Sequence, residues 1–247
     1  MNGWNRTVII VQARMTSTRL PGKVLLEVLG KPLLAYQVER LRRCKRADAV
    51  VLATTTNKTD QALVDFCCEH GISCYRGSEE DVLSRYYEAA REHRAETIVR
   101  VTSDCPLIDP AVIDRVIEAF NWGGEDYVAN ILERTYPRGM DCEVFTFEAL
   151  QTAHREATDK PDREHVTPFI YRHPERFTLG NVRYGEDCSR YRWTVDTQED
   201  YELIRCMLEA LVLQKPHFTL EDCLHLIEQN PDWEKINCHV EQKIYGA

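Results

Sequence analysis

VIIVQARMTSTRLPGK, residues 8–23, decides how this chain is read: a short apolar run ends abruptly in a polar segment carrying Arg14, Arg19 and Lys23. Val8 to Val11 are β-branched and unbroken by any polar residue, the pattern of a strand buried on both faces of a parallel sheet covered by helices. Pro21-Gly22 predicts a turn, because proline fixes φ at the first central position and glycine takes the positive φ that a type II turn needs at the second. Three cations on one short loop repel one another. At ~4 Å a like pair costs ~4 kcal/mol at an effective dielectric of ~20, and far less when the side chains splay into water. A polyphosphate among them turns the repulsion into binding; a solvated basic loop is the other reading. Position favours the first, since ligands of open α/β sheets bind beyond the carboxyl ends of strands. Val24 follows Gly22-Lys23 and Ser17 stands where a P-loop glycine belongs, so this is no Walker motif, and no Gly-x-Gly-x-x-Gly follows any strand.

Outward from this stretch, strands and helices alternate. Pro32 opens a helical pattern with Leu34, Val38 and Leu41 on one face, and AVVLAT (49–54) reads as a strand. QALVDFCCEHG predicts a helix stopped by Gly71, ISCYR a strand, EEDVLSRYYEAAREH a helix with acidic residues at its start, and TIVRVT (97–102) a further strand. AVIDRVIEAF continues as a helix after Pro110. Alternation at this spacing means βαβ units and a mainly parallel sheet. The rhythm changes at Trp122-Gly123-Gly124, read as a turn; DYVANIL, CEVFTF and FTLGNVRY then predict strands of a mixed, antiparallel insertion. TQEDYELIRCMLEALVL and LEDCLHLIEQ predict helices that pack back on the main body.

Composition narrows the function classes. A chain of 247 residues suits one large α/β domain or a domain with a modest appendage. Its net charge of −9 argues against binding nucleic acid, whose backbone demands a basic surface. MNGWNRTVIIVQ is too short in apolar residues for a signal peptide, and no stretch reaches ~20 apolar residues, so a cytoplasmic protein without a membrane span is expected. The 10 cysteines form no Cys-x-x-Cys pair and read as reduced thiols rather than a zinc or disulfide framework.

Two acidic points follow strands. Asp104 ends TIVRVT within TSDCPLID, and Asp196 follows Trp193 to Val195 within WTVDTQEDY. Two carboxylates beside a cationic phosphate loop suit Mg²⁺, which prefers few carboxylates plus phosphate oxygens. Each also has a structural reading: Asp104 before Pro106 can start an Asx turn, and Asp196 can cap the following helix, with Glu199 completing a capping box.

RMTSTRLPGK, GKPLLAYQVER, SDCPLID and TVDTQEDYELI, in that order, resemble the cytidylyltransferases that activate sugar acids. The 3-deoxy-manno-octulosonate and acylneuraminate enzymes are included, and above all the branch named for the spore-coat polysaccharide protein SpsF. The resemblance spans nearly the whole chain. It implies a three-layer, Rossmann-like nucleotide-diphospho-sugar transferase fold: a nucleotide-binding core (1–120), an insertion for substrate and dimerisation (121–190), and a metal-site strand with C-terminal helices (191–247). It implies transfer of CMP from CTP to a sugar hydroxyl with loss of pyrophosphate. Arg14, Arg19 and Lys23 would hold the triphosphate and act in catalysis, Asp104 and Asp196 would hold Mg²⁺, and Ala13, Thr18, Arg76 and Thr102 would join Asp104 around the nucleotide. Arg76 also reads as a solvated residue after a strand. Cys105 stands where better-known members carry an acidic residue, which leaves the acceptor open. RTYPRGMDCEVF and DREHVTPFI match the SpsF branch and offer Arg138, Asp141, Arg163 and His165 as acceptor contacts; Gly139 would let the loop approach a ligand. His165 has an equal reading as a packed or solvated histidine. Relatives commonly form homodimers, through the segment from DYVANIL to CEVFTF. The competing classes are a nucleotide-sugar glycosyltransferase, disfavoured because SDC lacks Asp-x-Asp, and a nucleotide-binding regulator that releases no pyrophosphate.

Overall fold

The computed structural model describes residues 6–241. Thr7–Gln12 form strand β1 at the heart of a seven-stranded sheet. Its apolar run is unbroken because it serves two cores: Ile9 and Val11 enter one cluster, Val8 and Ile10 the other. A small separate hairpin follows, β2 (Glu27–Val28) and β3 (Lys31–Pro32). Next come α1 (Leu33–Leu41), β4 (Ala49–Thr55), α2 (Gln61–His70), β5 (Ser73–Gly77), α3 (Val82–Glu92), β6 (Thr97–Thr102) and α4 (Pro110–Gly123). The middle of the chain supplies β7 (Tyr127–Ala129), β8 (Glu143–Thr146), α5 (Phe147–Glu156), α6 (Lys160–His165), α7 (Pro168–Tyr171) and β9 (Leu179–Asn181). Helices α8 (Gln198–Gln214), α9 (Leu220–Gln229) and α10 (Glu234–Asn237) close it.

The sheet order is β5-β4-β1-β6-β8-β7-β9. Helices α1, α2 and α4 cover one face and α3, α5 and α7 the other, the three-layer, mainly parallel Rossmann-like α/β fold that the sequence predicts. A third cluster seats α8 and α9 against Leu33, Tyr36, Trp193 and Val195. Arg40 ties these helices on: its guanidinium donates to the carbonyls of Ile108 and Phe218 and lies 3.8 Å from the Phe218 ring centroid. Among the described residues no helix is long and apolar enough to cross a membrane. The reading of MNGWNRTVIIVQ as too short in apolar residues for a signal peptide falls in part on residues 1–5, outside the described ones.

The insertion is mixed, as the sequence predicts: β8 runs antiparallel to β6 and β7, and β9 pairs parallel with β7. Two local expectations are corrected. DYVANIL yields strand only to Ala129, because the Asn130 side chain donates to Met140 O and accepts from Cys142 N, closing residues 130–142 into a loop. Trp122 and Gly123 belong to α4, which stops at Gly124 with φ 74°.

That loop bears on the site. Arg138 N donates to Tyr191 O and Trp193 N to Arg138 O, while Val195 N donates to Asp104 O at 2.8 Å. Residues 191–195 are thereby stitched between the loop and the end of β6. Gly139 makes the crossing possible: its φ is 102°, and a Cβ there would sit 2.4 Å from the Trp193 carbonyl oxygen. What the glycine lets approach is this backbone. Gly139→Ala is expected to lose about 2–4 kcal/mol of stability. Gly185→Ala, with open space around the added carbon, is expected to unfold like the parent; thermal melts of both variants check the pair.

Candidate active site

The cationic loop is anchored before it reaches its charges. Met15 N donates to Asp60 Oδ1 at 2.8 Å, and the buried Asp60 carboxylate also takes the hydroxyls of Thr54 and Thr55. Gly22 N closes the loop onto Met15 O at 3.0 Å. Lys23 N then donates to Leu20 O, with Gly22 at φ 70° and ψ 9°, the predicted Pro-Gly turn. Beyond the turn, a 3₁₀ segment from Lys23 to Leu25 sends the lysine inward. Its Nζ lies 2.9 Å from Asp104 Oδ2 and 2.8 Å from Asp196 Oδ1. Arg19 reaches Asp196 Oδ2 at 2.8 Å, and Arg14 stands 4.0 Å from Glu79. The negative charge that relieves this loop is therefore carboxylate.

Asp196 is free to face Lys23 because the helix cap falls one residue later. Thr197 is the N-cap of α8: its hydroxyl accepts from Asp200 N, and its own N donates to the Asp200 carboxylate, a capping box. The reading of Asp196 and Glu199 as cap and partner is thus displaced by one residue, a register the sequence DTQED permits equally. The buried Asp200 carboxylate holds Arg192 through Nε at 2.8 Å and Nη2 at 3.0 Å, and accepts from Asp196 N and Asn237 Nδ2. Arg192 Nη2 in turn donates to Asp196 Oδ2 at 2.8 Å. The Asp196 carboxylate is consequently fixed from behind by Arg192 and from in front by Arg19 and Lys23. Asp104 makes no Asx turn; its side chain accepts from Lys23, Thr102 and Cys105.

Burial opposes both charges of the central pair, and each partner reverses the effect on the other. The Lys23 ammonium, which burial would lower, is held above its usual 10.5 by Asp104 and Asp196. The Asp104 carboxyl, which burial would raise, falls to about 2 beside Lys23 and the Thr102 hydroxyl. Two carboxylates thus meet at one positive centre, a donor pair that fits an ion completing its shell with phosphate oxygens and water. No group of three or more His, Cys, Asp or Glu among the described residues forms a metal cage.

The cleft has two halves. One, of about 250 Å³, is lined by Ala13, Arg14, Thr18, Lys23, Arg85 and Ser103 among others. The other, of about 230 Å³, is lined by Cys105, Arg134, Arg138, Asp141, Glu143 and Tyr171 among others. Arg19, Arg100, Thr102, Asp104, His165 and Asp196 line both. The structure thus gathers Ala13, Arg14, Thr18, Arg19, Lys23, Thr102, Asp104 and Asp196 in one half, and Arg138, Asp141 and His165 along the other. Two predicted residues lie outside both linings. The Arg76 guanidinium donates to the carbonyls of Thr55 and Asn57, both at 2.9 Å, and Arg163 pairs with Asp81, the N-cap of α3. Asp141 is clamped by both terminal nitrogens of Arg134. The thiol of Cys105 is buried against Asp104 and Thr194, and burial pushes it well above its ordinary range. Arg85, Arg100, Arg134 and Glu143 escaped the sequence reading, as did the Arg192–Asp200 brace. Only the Thr197-x-x-Asp200 spacing offered a signal for any of them.

A sequence profile described as cytidylyltransferase matches residues 8–238, and the chain belongs to the cytidylyltransferase family. It is similar to the spore coat polysaccharide biosynthesis protein SpsF of Bacillus subtilis, with 34% identity covering 92% of this chain and 96% of that protein. The 3-deoxy-manno-octulosonate cytidylyltransferase of Anaeromyxobacter sp. strain K is 36% identical, covering 82% of this chain and 97% of that one. A solved cytidylyltransferase from Leptospira borgpetersenii superposes with a TM-score of 0.88 at 34% identity, covering 97% of this chain and 99% of that structure.

The depressed Asp104 carboxyl predicts a pH signature. A group whose pKa falls on folding stabilises above its unfolded value, near 3.8, and loses that contribution as pH drops towards about 2. Lys23 stays charged throughout this window. The melting-temperature gap between the parent and Asp104→Asn is expected to shrink between pH 4 and pH 2 by an amount worth ~2 kcal/mol. A gap constant over that range would contradict the pairing.

Proposed function

We propose that the protein is a cytoplasmic enzyme that transfers CMP from CTP to a hydroxyl of a sugar or sugar acid, releasing pyrophosphate, with Mg²⁺ as its metal, for surface polysaccharide assembly. The observation that carries this reading is the meeting of Lys23 with Asp104 and Asp196 at the carboxyl ends of β1 and β6. Family membership selects the nucleotide, and the names of the similar SpsF and 3-deoxy-manno-octulosonate enzymes support a carbohydrate acceptor.

In the reaction, the acceptor hydroxyl oxygen bonds to the α-phosphorus and gives up its proton to water, while the bond from the α-phosphorus to the α,β-bridging oxygen breaks and pyrophosphate leaves. The chain's task is positioning and charge neutralisation. Arg14, Arg19 and Lys23 are assigned to the triphosphate, where their charge offsets what accumulates on the departing pyrophosphate. Ala13, Thr18 and Thr102 complete the nucleotide half of the cleft, and Arg76 acts at one remove by fixing the Thr55–Asn57 backbone. Asp104 and Asp196 are assigned to Mg²⁺, which when bound supplies charge to the phosphate oxygens and lowers the pKa of a contacting hydroxyl. Arg138, Asp141 and His165 are assigned to the acceptor, with Arg163 supporting the wall through Asp81. Residues 1–120, 121–190 and 191–247 then divide the labour as nucleotide core, acceptor and dimer segment, and metal-site closure.

Lys23→Ala and Asp104→Asn are each expected to lower pyrophosphate release from CTP and acidic sugars at least ~10²-fold. Turnover at the parent rate in both would contradict the site. The 121–190 segment and its border expose Trp122, 83% accessible, and Leu132, which supports a dimer surface. Sedimentation is expected to give a dimer for the parent and a monomer for Trp122→Asp; a monomeric parent refutes that surface.

A further inference from the structure

A further cavity, of about 340 Å³, opens between the C-terminal half of α1 and the chain joining α8 to α9, and it shares no lining residue with either half of the cleft. Its charged walls are Lys31, Arg40, Arg42 and Arg43 against Glu39 alone, in a chain whose net charge is −9. Lys31 takes Glu39 and lies 4.4 Å from the Tyr36 ring centroid. The arginines that remain make no ion pair among the described residues. Arg42 donates to the carbonyls of His70 and Gly71, at 2.8 and 2.7 Å, and the exposed Arg43 side chain has no hydrogen-bond partner among the described residues.

The macrodipole of α1 favours cations at its C-terminus, which accounts for the exposed ones. It does not account for Arg40, which is 4% exposed. Nε and Nη2 of Arg40 are taken by the carbonyls of Ile108 and Phe218, while Nη1 is sealed from water without an acceptor. Burial lowers this guanidinium to about 10, so it stays charged at neutral pH. A buried cation with one edge unpaired is a standing cost to the fold. The uncharged walls beside it are mostly apolar, from Tyr36, Val212, Pro216 and Phe218. A cavity of this size, with apolar walls and a few converging charges, has the form of a small-molecule site.

We propose that the crevice between α1 and the α8–α9 connection is a second binding site, for a small organic phosphate. Its phosphate is held by Arg40 and Arg43, and its flat apolar body packs on the Tyr36, Val212 and Pro216 walls. Phosphate is favoured over carboxylate because it carries about two charges on its acceptor oxygens, and planar guanidinium groups match that geometry. The site does not depend on the CTP reading above.

Calorimetric titration of the full chain with phenyl phosphate tests the assignment. The parent is expected to bind with a Kd of ~1 mM or below, at least ~10-fold tighter than inorganic phosphate, which has the head without the ring. Arg40→Met removes the buried cation but also two carbonyl contacts, so a loss of stability in it would mask the readout. Arg43→Glu alters an exposed side chain and is expected to melt like the parent. Arg43→Glu and Val212→Asp, which sets a like charge on the apolar wall, are each expected to weaken phenyl phosphate at least ~10-fold. Arg14→Ala, in the cleft, is expected to bind it as the parent does. A parent that binds no phenyl phosphate at about 10 mM overturns the inference. So does an equal affinity for inorganic phosphate, or a folded Arg43→Glu with parental affinity. A loss in Arg14→Ala puts the phosphate in the cleft and overturns it as well.

Discussion

The Lys23 ammonium lies between Asp104 and Asp196 at hydrogen-bonding distance from each, and the rest of the cleft is arranged around that contact. Neither carboxylate is tolerable half-buried beside the other without a cation, since like charges in a medium of low dielectric repel by several kcal/mol. One positive charge settles both. It also joins the first βα loop, the end of β6 and the approach to α8, segments far apart in the chain. The charge that this lysine offers a phosphate is thus already spoken for by groups suited to a divalent ion. Under the proposed function Asp104 and Asp196 would hold the metal, and Lys23 would face phosphate.

Rigidity behind the contact comes from polar groups that never face the cleft. Asp200 fixes Arg192, Arg192 fixes Asp196, and Asn237 of the short α10 donates to both Asp200 and the Arg192 carbonyl. The C-terminal helices therefore do more than cover apolar surface, because the position of a site carboxylate depends on their docking. On the opposite side, Asp60 performs the same service for the cationic loop by holding Met15 N and two threonine hydroxyls. Gly139 admits the strand-like crossing at residues 191–195 that brings Asp196 to Asp104.

Local patterns carried much of this in the sequence. The apolar run Val8 to Val11, the Pro-Gly turn and the alternation of strands with amphipathic helices each follow from backbone preference and side-chain periodicity, and each is found where those rules put it. The pairing of β9 with β7 was hidden because strand period says nothing of direction. Asp196 was ambiguous because DTQED admits two capping registers; the choice is made by Lys23, Arg19 and Arg192, which arrive from elsewhere in the fold. Arg85 was invisible for a related reason: on a helix whose polar residues read as solvated, only the packing against Gly77 shows that this one points inward. Arg76, which the family resemblance placed at the nucleotide, donates to backbone carbonyls.

The central claim is that Asp104 and Asp196 would hold the metal while Lys23 serves the phosphates, and a crystal structure of the protein soaked with CTP and Mn²⁺ tests it most directly. The account predicts an anomalous peak at Asp104 and Asp196, with Lys23 Nζ on a phosphate oxygen. Manganese bound elsewhere, with Lys23 still seated between Asp104 and Asp196 in the presence of nucleotide, would contradict it.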